Sequence, residues 1–100
     1  MKINALLMHE KDNVVTCVEE VPAGKEVCYR QGKETISLVA EETIPYCHKI
    51  ALTALEKGKD VYKYGEIIGR TLEPISKGHW VSDKNIYSVP RDYASEYINK

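Results

Sequence analysis

The chain has 100 residues, 43% hydrophobic and 29% charged, and its 14 Lys and Arg against 15 Asp and Glu give a formal net charge of −1. That length and balance describe one small folded domain, too short for a two-domain enzyme and too apolar for a disordered chain. The charges are interspersed, so no basic face for nucleic acid or anionic lipid stands out, and no run approaches the roughly 20 apolar residues that span a bilayer.

The opening Met1-Lys2-Ile3-Asn4-Ala5-Leu6-Leu7-Met8-His9 lacks the long apolar part and cleavage site of a signal peptide and alternates like a strand over residues 3–9. A cytoplasmic location follows as the expectation. Cys17, Cys28 and Cys47 are odd in number and have no CxxC spacing, which speaks for reduced thiols rather than a disulfide framework or a zinc site. Phe is absent while Tyr occurs seven times, so the core must come from Val, Ile, Leu and tyrosine rings whose hydroxyls need partners or a surface outlet.

His9-Glu10-Lys11-Asp12-Asn13 reads as a polar turn, followed by a β-branched run over Val14 to Val18. Val21-Pro22-Ala23-Gly24 is a turn, and Val27 to Arg30 with Thr35 to Ala40 predicts a hairpin closed by Gln31-Gly32-Lys33-Glu34. Beyond Pro45, His48, Ile50 and Leu52 alternate with Lys49 and Ala51, and Leu55 to Lys59 is one helical turn or a loop. Strands are expected at Val61 to Tyr64, Glu66 to Leu72, His79 to Val81 and Ile86 to Val89, with a turn at Pro74 to Gly78. Only residues 91–98, after Pro90, have helical spacing. Short strands with turns every eight to twelve residues predict a mostly β, barrel-like or folded-ribbon domain over residues 1–90, with a short C-terminal helix over 91–100. Ala-Gly-Lys-Glu-Val, Lys-Gly-Lys-Asp-Val and Ser-Lys-Gly-His-Trp-Val repeat one idea, read here as three equivalent turns of one sheet rather than a duplication.

The chemistry concentrates in Pro45–Leu52 and Val61–Gly69. His48 and Lys49 lie where a loop enters a strand, and Lys63 stands between Tyr62 and Tyr64 just before Gly65, a grouping suited to holding a carboxylate or a metal on a rigid edge. Each residue also has an ordinary reading. His48 could be a hydrogen-bonded structural residue, Lys63 a solvated guard of a strand edge, and Asp12 a cap for backbone N–H groups in a turn.

His9-x-x-Asp12-Asn13-Val14, His48-Lys49-Ile50-Ala51-Leu52, Lys57-Gly58, Val61-x-Lys63-Tyr64-Gly65-x-x-Ile68-Gly69, and Ile75-x-x-Gly78-x-Trp80-Val81 with Asn85 resemble the SAF domain of the UxaA-type lyases. That family contains altronate and galactarate dehydratases and the sulfolactate sulfo-lyase. The resemblance implies a SAF-type β-clip fold, found fused to a large catalytic domain or as a separate small subunit, and this chain's length suits the subunit. It further implies a large catalytic subunit as partner, a small sugar acid as substrate, and a divalent metal of iron or manganese type in the assembled complex. A second copy of the chain is a further partner left open.

Such a dehydratase removes a proton α to a carboxylate and expels a β-hydroxyl, so charge builds on the carboxylate and an acid is needed at the leaving oxygen. On that pattern Lys49 and Lys63 would clamp the carboxylate, and His48 would serve as acid, base or ligand. Tyr64 and Asn85 would touch substrate, and His9 with Asp12 would form a weak metal pair. Two departures stand out. Cys47 occupies the place of a Gly before His-Lys, and Ser82 and Lys84 stand where the family carries a Val-His-x-His-Asn pattern. Asp83 and Asn85 are the oxygen donors available in place of those imidazoles. The loss also opens the alternative of a β-clip module that binds or assembles without catalysing, since SAF domains serve other roles elsewhere.

Overall fold

The structure, a computed structural model, describes residues 2–88; the helix expected over 91–98 and the boundary drawn at residue 90 lie outside the described residues. Nine short strands and no helix make up the regular structure of that part: β1 (Ala5–Leu6), β2 (Val14–Cys17), β3 (Glu26–Gln31), β4 (Glu34–Val39), β5 (Lys49–Ala51), β6 (Asp60–Lys63), β7 (Glu66–Thr71), β8 (Trp80–Val81) and β9 (Ile86–Ser88). They form three small antiparallel sheets, ordered β1-β2-β5-β8, β3-β4 and β6-β7-β9. The mostly β expectation holds. Among the described residues no helix is long and apolar enough to cross a membrane.

The central pair is β2 with β5, in the register Val14↔Ala51, Val15↔Ile50 and Thr16↔Lys49. Successive side chains of a strand point to opposite faces. Val15, Cys17 and Ile50 therefore enter one core cluster with Val27 and Ile44, whereas Val14 and Ala51 enter a second with Leu55, Val61 and Val81. This explains why every residue of β2 is buried. A β-branched run without polar alternation is what a strand with apolar cover on both faces requires. With no Phe available, both clusters are filled by aliphatic side chains, and Tyr29 is the buried ring of the first. Burial pushes the Tyr29 phenol above its ordinary range.

The expected hairpin is present as β3–β4, but its strands extend to a Gln31↔Glu34 pair, leaving a two-residue turn at Gly32 and Lys33. The strand expected over residues 3–9 shrinks to Ala5–Leu6. Asn4, just before it, is taken up by the first half of β3, its side chain accepting from Cys28 N (2.7 Å) and donating to Glu26 O (3.0 Å). Residues 55–59 form no helical turn. Leu55 makes an isolated bridge to Ile75, and a turn at Lys57–Gly58 follows.

The repeated Gly-containing turns are equivalent, although they do not belong to one sheet. They feed β3, β6 and β8, which lie in three different sheets, and a fourth member feeds β5. In each, a buried bridge residue is followed three positions later by a residue with positive φ and five positions later by a strand. The sets are Val21, Gly24, Glu26; Ile44, Cys47, Lys49; Leu55, Gly58, Asp60; and Ile75, Gly78, Trp80. Each is closed by the same backbone bond, from Lys25 N to Pro22 O, His48 N to Pro45 O, Lys59 N to Glu56 O, and His79 N to Ser76 O. The bridges pair the turns two by two, Val21↔Ile44 and Leu55↔Ile75. The flanking bonds repeat as well: Gly24 N to Ala40 O matches Gly58 N to Thr71 O, and Cys47 N to Cys17 O matches Gly78 N to Ala51 O. The backbone thus repeats one unit twice, the arrangement that sequence reading placed second.

Three of the four positive-φ positions are glycine, whereas the fourth is Cys47, at φ 66°. An L-residue held there costs on the order of 1–2 kcal/mol. Glycine would remove that strain while adding about 0.5–1 kcal/mol of chain entropy to the unfolded state. Cys47→Gly is therefore expected to leave stability unchanged or raise it by up to about 1 kcal/mol in denaturant unfolding. A loss of more than about 1 kcal/mol would show that the Cys47 side chain matters more than the backbone strain.

Candidate functional site: a cationic edge beside a histidine

The turn at Cys47 delivers His48 and Lys49 onto β5, both half-buried. On one side of β5, the Cys17 N to His48 O bond makes Thr16↔Lys49 a pair without mutual backbone bonds, the kind whose side chains approach closest. On the other side Lys49 lies opposite Val81. Lys49 thus rises between Thr16 and the β8–β9 connection, on the face that carries Val14, Ala51 and the second cluster.

Lys63 ends β6 close enough to act on Lys49 electrostatically. Burial pushes the Lys49 ammonium below its ordinary range, Lys63 pushes the same way, and Asp83 pulls back. Among the described residues the ion pairs within 4 Å are Lys2–Glu19, Arg70–Asp60 and His79–Glu42, none of which includes Lys49 or Lys63. Lys63 Nζ instead sits 5.3 Å from the centroid of the Tyr64 ring, a cation–π contact. Thr16 adds an unusual feature. It is 8% exposed, and its Oγ1 is buried with no hydrogen-bond partner among the described residues. Two half-buried ammonium groups without an ion pair among the described residues, together with the Thr16 hydroxyl, form an environment that an oxyanion would complete.

His48 lies beside Lys49, and its ring meets Trp80 edge-on, with centroids 5.2 Å apart and planes at 83°. Trp80 Nε1–H donates to His48 Nδ1 at 3.1 Å. Trp80 reaches this position because β8 pairs with β5 in the register Ile50↔Trp80. Sequence reading included Trp80 only as part of a motif; 32 residues separate it from His48, so no local spacing reveals the contact.

Tyr64 is 61% exposed and stands over the edge, with positive φ at both Tyr64 and Gly65. This two-residue turn between β6 and β7 is of the I′ kind, which requires positive φ at both central residues. Asp12, 7% exposed, holds it: Oδ2 accepts from Tyr64 N (3.1 Å) and Oδ1 from Gly65 N (2.8 Å). The His9 ring packs against Gly65, where a Cβ would stand 2.9 Å from it, and His9 Nδ1 accepts from Lys11 N. The donors of His9 and Asp12 are thus largely committed to backbone N–H groups. Among the described residues no three His, Cys, Asp or Glu side chains converge on a common point. These residues do not fit a metal centre of their own. Asn13 extends the clamp, accepting from Tyr62 N and donating to Asp60 O.

Asn85 is also taken up by structure, accepting from Ser82 N (2.8 Å) and donating to Trp80 O (2.7 Å). Ser82 Oγ accepts from Lys84 N, so the positions where the family carries two histidines form a tight turn pinned by Asn85. Asn85 also borders a shallow polar concavity of about 190 Å³ with Glu42, Glu73, Ser76 and His79. Lys49 and Lys63 are therefore brought to one edge with Tyr64 flanking it, His48 lies next to that edge on the face of Ile50 and Trp80, and His9, Asp12 and Asn85 support the turns around it.

Fold and site together define a mostly β domain that presents a cationic edge beside a histidine. The chain belongs to the altronate/galactarate dehydratase SAF-domain family, whose model matches residues 3–89. It is 35% identical over 78 residues to altronate dehydratase of Escherichia coli, covering 78% of this chain and 15% of that protein. It is 29% identical over 79 residues to the E. coli galactarate dehydratase (L-threo-forming), covering 79% and 14%. It is 30% identical over 84 residues to the (2R)-sulfolactate sulfo-lyase subunit alpha of Chromohalobacter salexigens, covering 80% of this chain and 89% of that subunit. The chain thus spans a small part of the dehydratases and most of the sulfo-lyase subunit.

Removing the Asp12 carboxylate leaves two partly buried N–H groups without their acceptor. Asp12→Ala is expected to lower the unfolding free energy by about 2–4 kcal/mol, and Asp12→Asn by less. Hydrogen exchange should quicken at Tyr64 and Gly65 before it does so in β2. Unchanged protection at both amides in Asp12→Ala would show that the turn holds without the clamp.

Proposed function

We propose that this chain is a small SAF-domain subunit of a UxaA-like lyase, working with a separate large catalytic subunit on a sugar acid or related hydroxy acid. The observation that carries this reading is the half-buried Lys49, beside Lys63 and without an ion pair among the described residues. A lysine whose charged form is disfavoured by burial and by a second cation gains when an anion arrives. Removing a proton α to a carboxylate increases the charge on that carboxylate, so cations placed at it stabilise the transition state more than the ground state. In this reading Lys49 and Lys63 hold the carboxylate, His48 contacts another oxygen of the acid from the Trp80 face of β5, and Tyr64 covers the carboxylate end. The divalent metal that the family resemblance implies would belong to the large subunit, where it would add Lewis-acid stabilisation of the same charge.

Within this class, dehydration of an aldonate or aldarate and elimination of sulfite from sulfolactate share the α-proton step and differ in the leaving group. The coverage of 89% of the sulfo-lyase alpha subunit favours the two-subunit arrangement and keeps the sulfo-lyase as the second reading. The turn at Ser82–Lys84, in place of two histidines, favours a module that binds without catalysing.

The test reconstitutes the chain with a UxaA-type large lyase subunit and assays altronate, galactarate and sulfolactate. Lys49→Met and Lys63→Met are each expected to lower kcat/KM by about 10²–10³-fold, and His48→Ala by about 10²-fold or more, with assembly intact. An assembled complex that turns over none of the three acids, or one indifferent to all three substitutions, would favour the non-catalytic module.

A further inference from the structure

The proposed site leaves one strong contact unexplained, the bond from Trp80 Nε1–H to His48 Nδ1. An indole nitrogen carries a hydrogen and no available lone pair, so it only donates. Nδ1 must therefore accept, and the hydrogen of the neutral imidazole resides on Nε2. The edge-on approach of the two rings fixes the plane of the imidazole as well as its tautomer.

Trp80 is itself held from behind. Its backbone N donates to Glu42 Oε2 at 3.2 Å, the oxygen that also meets His79 Nδ1 at 2.9 Å, and its carbonyl accepts from Asn85 Nδ2 at 2.7 Å. Its ring packs against the first core cluster, and β8 pairs it with Ile50. Glu42 and Asn85, from two separate loops, thus hold one short strand whose indole sets one imidazole.

We infer that Trp80 is a positioning residue that locks His48 as an Nε2–H donor, so that His48 offers an oxygen of the acid a hydrogen bond instead of offering a lone pair to a metal or a proton. The inference rests on the lyase reading for the identity of the ligand and on this chain alone for the tautomer. It removes the base and ligand roles open to His48 and leaves it a donor. His48 then donates from the Trp80 face of β5 while Lys49 and Lys63 hold the carboxylate from the other, and proton removal falls to the partner subunit. It also gives the Glu42–His79 pair a purpose without a ligand of its own, which is to hold the backbone of Trp80.

The test is a histidine-ring ¹⁵N spectrum of the full chain, at a pH where imidazoles are neutral. His48 is expected to show a single tautomer protonated at Nε2, with a through-hydrogen-bond coupling between its Nδ1 and Trp80 Nε1. In Trp80→Phe, which keeps an aromatic ring against the core, the coupling must vanish and His48 should populate both tautomers, while His9 keeps its wild-type pattern. In the assembled lyase, Trp80→Phe is expected to lower kcat/KM about 10–100-fold, the usual cost of losing an outer-shell partner. A wild-type His48 protonated at Nδ1, or averaging between both nitrogens, overturns the inference; so does a Trp80→Phe variant with unchanged tautomer or unchanged turnover. If Trp80→Phe fails to fold, the wild-type coupling still decides the tautomer. A complex without lyase activity removes the proposed ligand and leaves the tautomer result standing.

Discussion

The register between β2 and β5 is the constraint on which the rest of the molecule depends. Two residues of β2, Val14 and Val15, feed opposite core clusters, and their partners Ala51 and Ile50 do the same. A slip of one residue would exchange the two faces and bury Lys49 in the aliphatic cluster that holds Val15 and Ile50. The hydrophobic effect therefore specifies the pairing strongly, and the pairing that fills both clusters also sets Thr16 against Lys49. Core and site are two consequences of one register.

The second organising feature is the repeated turn. A buried bridge residue, a positive-φ position and a strand recur four times, and paired bridges tie the turns together. The member that carries the site differs from the others, with Cys47 where they have glycine and with His48 and Lys49 directly after it. Backbone strain at a functional turn is tolerated when surrounding packing over-determines it. Here Ile44 on one side and Ile50 on the other are fully buried. The same logic applies across the edge, where buried Asp12 holds the exposed Tyr64 at positive φ. Both halves of the edge are strained turns held from below, which keeps His48, Lys49 and Lys63 in place without a ligand.

The sequence made the strands, the β3–β4 hairpin and the family legible, because β-branched runs, Gly32 and the His48-Lys49 and Lys63-Tyr64-Gly65 blocks are local signals. The fourth turn was hidden because its positive-φ residue is a cysteine, and nothing about Cys47 in isolation announces that backbone. The duplication ranked second for the same reason, since only three of the four turns show in the sequence. The functions of Asp12 and Asn13 were only partly legible, since their side chains bond backbone roughly fifty positions away. Asn85 looked like a substrate contact because its partners, Trp80 O and Ser82 N, emerge only once β8 is placed. Trp80 was the largest omission. Its bearing on His48 follows from a sheet pairing, which periodicity within either segment does not encode.

The chain belongs to the dehydratase SAF family and covers most of a sulfo-lyase alpha subunit, and the proposed function treats its edge as one side of a site completed by a larger protein. On this view the chain supplies fixed donors to a carboxylate and leaves the proton chemistry to its partner. The most direct measurement is a crystal structure of the chain assembled with a lyase large subunit and a non-reacting 2-hydroxy acid. A carboxylate within about 3 Å of Lys49 Nζ, with His48 Nε2 donating to another oxygen of the acid, is the expected result. A carboxylate held wholly by the large subunit, with Lys49, Lys63 and His48 turned away from it, would contradict it.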